Sequence, residues 1–175
     1  WMVFSADHGE MLGDHCLLAK KVFYDAAVNV PCLFRPPGGT TSRTTRALTC
    51  HLDIVATLTE IAAARALDDT DGRSLLTLLN GDDASVHQAA VLSELGLPPS
   101  AFTMVRTDRH KMSVDTLTRE PIDLYDLSED PDELSNLINE PAYQSVSREL
   151  VESVLNPMLS NLDTSGWERQ PGRVP

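Results

Sequence analysis

Positive charge is scarce in this sequence. Its 175 residues hold 14 Lys and Arg against 26 Asp and Glu, a formal net charge of −12 at pH 7. A nucleic-acid or anionic-membrane partner needs clustered cations to neutralise phosphates, and here the basic residues are scattered, so both partner classes are excluded. The acidic surface also repels anionic substrates at long range, so an anion site must be built locally from a metal ion, Lys or Arg. Long apolar runs are missing as well: nothing approaches the roughly 20 residues of a membrane helix. The three cysteines, Cys16, Cys32 and Cys50, form no Cys-x-x-Cys pair and have no zinc-type His spacing, which predicts free thiols. Aromatic residues make up only 5%, beside 42% hydrophobic and 23% charged residues, a composition that predicts a globular, water-soluble chain with a real core. No charged-then-apolar signal opens the chain, and Trp1-Met2-Val3-Phe4 starts inside an apparent strand, so further residues are expected upstream. Localisation is therefore left open between bacterial cytoplasm and periplasm.

Residues 1 to 6 and Pro31 to Arg35 read as short buried strands, the second stopped by Pro36-Pro37-Gly38-Gly39. The long intervening stretch suits a parallel α/β sheet. "HLDIVATLTEIAAA" places Ile54, Leu58 and Ile61 at helical spacing with Asp53 as N-cap, and "DGRSLLTLLNG" predicts a second short helix ended by Gly81. After it, "AAVLSEL", "AFTMVRT", "HKMSVDT" and "PIDLYDL" alternate as the strands of an antiparallel meander do. "PAYQSVSRELVESVLNPML" follows, an amphipathic helix with Val146, Leu150, Val151 and Leu155 on one face, able to cover that sheet. The polar stretch from Asn161 to Pro175 is expected to be a loose tail.

The richest chemistry lies in "VFSADHGEMLGDHCLLAKK", residues 3 to 21. In α/β proteins ligands gather where strands end and loops begin, and Asp7 and His8 stand at that point. A carboxylate oxygen and an imidazole nitrogen on one tight turn can reach the same divalent cation, and Gly9 permits close backbone approach. By itself Asp-His-Gly reads first as an Asx-turn leaving a strand.

The ordered set is more specific. Asp7-His8-Gly9-Glu10-Met11-Leu12-Gly13-Asp14-His15, then Lys20, Phe23-Tyr24-Asp25, Val30-Pro31 and Arg35-Pro36-Pro37-Gly38 resembles the carboxyl-terminal part of the sulfatase family, in the alkaline phosphatase superfamily. "HLDIVATLTEIA", "DGRSLLTLLNG" and "EPIDLYDLSEDPDELSNL" resemble further segments of that family, and the wording is similar to bacterial arylsulfatase-like and phosphonate monoester hydrolase-like members as much as to carbohydrate sulfatases. The resemblance implies the carboxyl-terminal part of an alkaline phosphatase-like α/β sheet domain (residues 1–85), then a small α+β unit with an antiparallel sheet and a packed helix (86–160), then the tail (161–175).

The same resemblance assigns Asp7 and His8 as metal ligands and Lys20 as the cation holding a sulfate or phosphate oxygen, with His15 as a supporting polar group. Lys21 is assigned to solvent, and Glu10 and Asp14 to solvent or helix capping. The implied cofactor is one divalent ion, calcium first, with manganese or zinc as alternatives. The substrate is a small sulfate ester, or a phosphonate or phosphate ester in the runner-up reading. Two departures stand out. Cys16 and Ala19 occupy positions where the family favours Gly, and none of Cys16, Cys32 or Cys50 lies in the Cys/Ser-x-Pro-x-Arg motif that yields the family's formylglycine nucleophile. That nucleophile and an amino-terminal part of the catalytic domain are therefore expected upstream, and the chain alone is expected to be inactive and open to homo-oligomerisation. The reading from another class is a non-catalytic relic serving as a binding module.

Overall fold

The computed structural model describes residues 1–39, 42–65, 70–81, 87–97 and 100–160, so the expected tail from residue 161 lies outside the described residues. The chain divides into two compact units, one formed by Trp1–Ser5 with Pro31–Val91, the other by Ala6–Val30 with the chain from Leu92 onward.

In the first unit, β1 (Met2–Ser5) pairs with β2 (Cys32–Arg35) in a two-stranded sheet. The pairing is antiparallel, Met2 opposite Arg35 and Ser5 opposite Cys32, which corrects the expectation of a parallel pair. The strands are not buried either: Met2 is 63%, Phe4 61% and Leu33 56% exposed. A two-stranded ribbon has two open edges, and apolar runs alone do not tell strand direction or what covers them.

Helix α2 (His51–Ile61) forms as its periodicity predicts, but its cap and buried face are corrected. Cys50 is the N-cap, and Asp53 sits at the third helical position, where its Oδ2 accepts the Cys50 N–H at 2.9 Å. The buried residues are Asp53 and Thr57, whereas Leu58 is exposed. The reason is a demand for hydrogen bonds. The Arg73 N–H donates to Asp53 Oδ1 (2.8 Å), the Gln88 amide donates to both carboxylate oxygens (2.9 and 3.1 Å), and the Leu75 N–H donates to Thr57 Oγ1 (2.8 Å). A buried loop backbone must find acceptors, and these two side chains supply them. Helix α3 (Leu76–Asn80) ends at Gly81, whose φ of +88° is the left-handed stop that the sequence predicts.

The second unit opens with residues 6–30, which include the short helix α1 (Asp25–Val28). Its sheet has the order β3-β4-β5-β6, from Ala90–Leu95, Phe102–Thr107, His110–Asp115 and Pro121–Asp126, the first two residues of β3 belonging to the other unit. The β4–β5 and β5–β6 pairings are antiparallel, as the meander reading predicts. Helix α4 (Gln144–Glu149) continues through a π-helical stretch (Leu150–Leu155) into a last turn at Asn156–Met158. The wider π turn puts Leu150 and Leu155, five residues apart, on the same buried side, with Leu159 following. Ser147 Oγ meets Met112 Sδ at 3.6 Å, so this helix covers the face of β5 that carries Met112.

The opposite face is covered too. Cross-strand register aligns Arg106, Lys111 and Tyr125, and Lys111 Nζ donates to Phe23 O at 3.0 Å, which places the 6–30 segment there. Burial on both faces explains why Lys111 through Thr116 are all buried, without the in-and-out alternation of a half-exposed strand.

Candidate functional site

The turn after β1 brings Asp7 and His8 together. The His8 N–H donates to Asp7 Oδ1 (3.1 Å), His8 Nδ1 lies 2.7 Å from Gly9 O, and His8 Nε2 is 3.5 Å from Asp7 Oδ2. Asp7 is exposed and His8 partly so, so both present donor atoms to solvent. Two donors bound side by side to a hard cation at ~2.4 Å are about 3.4 Å apart, so this oxygen–nitrogen edge fits a single divalent ion. Among the described residues no group of three or more His, Cys, Asp or Glu is placed to hold a metal. Asp7 and His8 could supply at most two donors, and a hard ion needs more.

Gly9 is required for how this turn is hung. Its N–H donates to Ala27 O at 2.8 Å, and a Cβ at this position would stand 2.0 Å from Ala26 O. From there the chain folds into a closed loop whose ends meet where the Met11 N–H donates to Ala19 O at 2.9 Å, with the Met11 side chain buried beneath. That closure returns the chain before Lys20, which is exposed, to the start of the loop at Met11. Inside the loop, Gly13 N–H donates to Leu17 O and Cys16 N–H to Gly13 O.

The backbone of this loop is strained. Leu12, His15, Cys16 and Ala19 all have positive φ, at 49°, 50°, 59° and 67°. For a residue with a Cβ the left-handed region costs about 1 kcal/mol or more. At Cys16 and Ala19 these φ values are ones that glycine adopts without a Cβ penalty. Such concentrations of strain persist where surrounding contacts over-determine them.

His15 is one of those contacts. Its ring lies on Tyr24, centroids 3.8 Å apart and planes within 14°, a stacked pair. The sequence offered no sign of this platform, nor of a second anchor, the Asp25 N–H donating to Glu133 Oε2 at 2.7 Å. Glu133 lies in the "DPDELSNL" segment, which drew notice only for its resemblance. Nothing in "HKMSVDT" marks Lys111 as buried, since His110, Ser113 and Asp115 are polar as well.

Of the cysteines, Cys16 and Cys32 are exposed, Cys50 is half-buried, and all three are free thiols. Burial, reinforced by the Asp53 carboxylate, pushes the Cys32 and Cys50 thiols up from their ordinary value. Neither is thus an activated nucleophile at neutral pH. No helix among the described residues is long and apolar enough to cross a membrane.

Comparison with known proteins follows the same lines. A family described as "N-sulphoglucosamine sulphohydrolase, C-terminal" matches residues 13–159. Arylsulfatase K of Mus musculus is 35% identical over 151 residues, 79% of this chain and 27% of that protein. Choline-sulfatase of Rhizobium meliloti is 31% identical over 144 residues, covering 80% and 27% of the two chains. The relatives thus come from animals as well as bacteria. Among solved structures, a phosphonate monoester hydrolase of Agrobacterium radiobacter superposes with a TM-score of 0.79 at 27% identity, over 93% of this chain and 35% of the other. A sulfatase structure from Bacteroides thetaiotaomicron gives 0.79 at 29% identity, over 90% and 35%. The chain spans about a quarter to a third of the length of the relatives it matches. With a family match over residues 13–159 and the fold shared with these structures, the chain belongs to the sulfatase family, within the alkaline phosphatase-like fold, and corresponds to its carboxyl-terminal domain.

Proposed function

We propose that this chain contributes the metal-binding and oxyanion-holding half of a sulfuric ester hydrolase site, working with an amino-terminal part that carries the formylglycine nucleophile and the remaining ligands. The observation that supports this most is the Asp7–His8 edge, 3.5 Å between donor atoms, on a turn locked to Ala27 through Gly9. A bound divalent ion would supply Lewis-acid polarisation of an ester oxygen. Asp7 and His8 would hold it, with His8 Nδ1 directed at Gly9 O so that Nε2 is the free donor. Lys20 would donate to a nonbridging oxygen whose charge grows as the ester bond breaks, a contact stronger in the transition state than in the ground state. His15 supports this loop through its stack on Tyr24.

A second reading within the superfamily, hydrolysis of phosphonate monoesters, is supported by the equal structural likeness to a phosphonate monoester hydrolase. Both reactions need the same ion and cation.

The test compares Lys20→Ala with Lys21→Ala in a full-length polypeptide containing this chain, assayed on an aryl sulfate and an aryl phosphonate ester. Lys20→Ala should lower kcat about a hundredfold or more with little change in KM, and Lys21→Ala should change neither appreciably. The reverse pattern would shift the assignment by one residue and sink it. A full-length polypeptide that binds these esters without turning them over would favour a binding module. On its own, the 175-residue chain should bind calcium or manganese weakly. Submicromolar affinity by calorimetry would contradict the two-donor description.

A further inference from the structure

We infer that one row of residues across the sheet, Arg106 on β4, Lys111 on β5 and Tyr125 on β6, positions the candidate site by gripping the dipeptide Tyr24–Asp25. This rests on the reading of Asp7, His8 and Lys20 as the site.

The three side chains are aligned by register, Arg106 opposite Lys111 and Lys111 opposite Tyr125, so they share the face that the 6–30 segment covers. Each touches the dipeptide or its neighbour. Arg106 Nη1 donates to the Asp25 carboxylate at 3.3 and 3.5 Å. Lys111 Nζ donates to Asp25 Oδ1 and to Phe23 O, and pairs with Glu133 Oε1 at 2.5 Å. Tyr125 donates its hydroxyl to that of Tyr24 at 3.5 Å, with the rings tilted at a 6.1 Å separation. Two cations meet two carboxylates, so the cluster is neutral, and Lys111, only 1% exposed, cannot trade its partners for water.

From the dipeptide two short paths lead to the site. Tyr24 carries the His15 ring on its face, holding the middle of the strained loop. Asp25 opens α1, whose Ala27 carbonyl accepts the Gly9 N–H and whose Ala26 carbonyl leaves room for nothing larger than glycine there. The Asp7–His8 turn and the 11–19 loop therefore hang from a two-residue anchor, and the sheet sets where that anchor lies. Lys111 and Asp25 are thus positioning residues that act through the loop. A lysine placed there only to hold the sheet together would have no reason to reach Phe23 O and Asp25 on another segment.

The test uses the full-length polypeptide containing this chain, selectively labelled for NMR, with Lys111→Met and Asp25→Asn as variants. The expected result is selective. In both, the His15 ring protons should lose the upfield displacement of a stacked ring, and the Gly9 and Met11 amides should exchange at least tenfold faster relative to the amides of β4 and β5. Retention of the His15 stack and of Gly9 protection in both variants would overturn the inference. So would equal loss of protection by loop and sheet, which would make Lys111 an ordinary core residue. If Lys111→Met fails to fold, Asp25→Asn decides on the same readouts, and its failure to fold as well would overturn the inference, since the cluster would then be supporting the sheet. None of these readouts needs turnover, so their outcome is separate from that of the Lys20 and Lys21 comparison.

Discussion

The two units differ in how much apolar side chain they bury. In the second, Met104, Val105, Met112, Val114, Leu124, Leu150 and Leu155 are all buried, between helix and sheet or within the sheet itself. Its charges are paired: Arg109 holds Asp126 through bonds of 2.6 to 3.1 Å, and Lys111 joins Asp25 to Glu133. In the first unit, Leu75 and Ala90 are the buried apolar residues among those described, whereas Asp53, Thr57 and His87 are buried polar ones. Its large apolar side chains, Trp1, Met2, Phe4, Leu33, Leu52, Val55 and Leu58, are exposed. Apolar burial dominates one unit, where buried charges are paired as well, and a hydrogen-bonded carboxylate organises the other. The first source of stability is roughly proportional to area and tolerates small shifts, while the second depends on the geometry of a few atoms.

The strongest way to separate the units is to remove apolar volume from each. Leu155→Ala should destabilise the chain by about 3–4 kcal/mol in urea unfolding, because Leu155 is fully buried and leaves a cavity. Leu58→Ala on the exposed side of α2 should cost no more than about 0.5 kcal/mol. Comparable losses from the two changes would mean that the α2 face is covered in solution. Native-state hydrogen exchange gives the companion measurement: amides of β4 and β5 should be the slowest in the chain, and uniform protection across both units would erase the contrast.

A polar deletion should reverse the ranking. Asp53→Ala strips an acceptor from the backbone N–H groups of Cys50 and Arg73 and from the Gln88 amide, which should cost about 2–3 kcal/mol. The faster exchange should fall on residues 50–90 and leave β4 to β6 protected.

Acid should act on the second unit. The Arg109 guanidinium, with Ser128, holds the buried Asp126 carboxyl well below the usual carboxylate range. Burial pushes the Asp25 carboxyl up, but Lys111 and Arg106 outweigh it and hold it below its ordinary value. Both groups have folded values below their unfolded ones. Their contribution is therefore complete above about pH 4, the unfolded aspartate value, and is lost as pH falls through the lower folded values. Thermal melts should show a midpoint that declines below about pH 4, and Asp126→Asn should flatten that decline. A midpoint independent of pH between 2 and 5, on the order of the unfolded aspartate value either side, would remove these two carboxylates as determinants.

The smallest effect sharpens the comparison within the second unit. Ala19→Gly relieves a φ of 67° and should stabilise the folded chain by about 1 kcal/mol, partly offset by the greater freedom of glycine in the unfolded state. The same change at Ala27, which lies in α1 with ordinary helical geometry, should destabilise it.

Much of this architecture is written in local pattern. The four meander strands, the stop at Gly81, the helix after Pro141 and the ligand-capable Asp7-His8-Gly9 turn all follow from periodicity, turn chemistry and residue type acting over a few neighbours. Membership of the sulfatase family was legible in the order of its motifs, which the match over residues 13–159 bears out. Other features needed distant parts of the chain. Whether β1 and β2 run parallel, which face of α2 turns inward and why Lys111 is buried depend on pairs such as Met2 with Arg35, Asp53 with Gln88 and Lys111 with Asp25. Hydrophobic period states that a segment has a face, but not what meets it. Only the folded chain brings an acceptor to the Arg73 N–H, or two carboxylates and a backbone carbonyl to one lysine, and a buried polar group goes where its partners are.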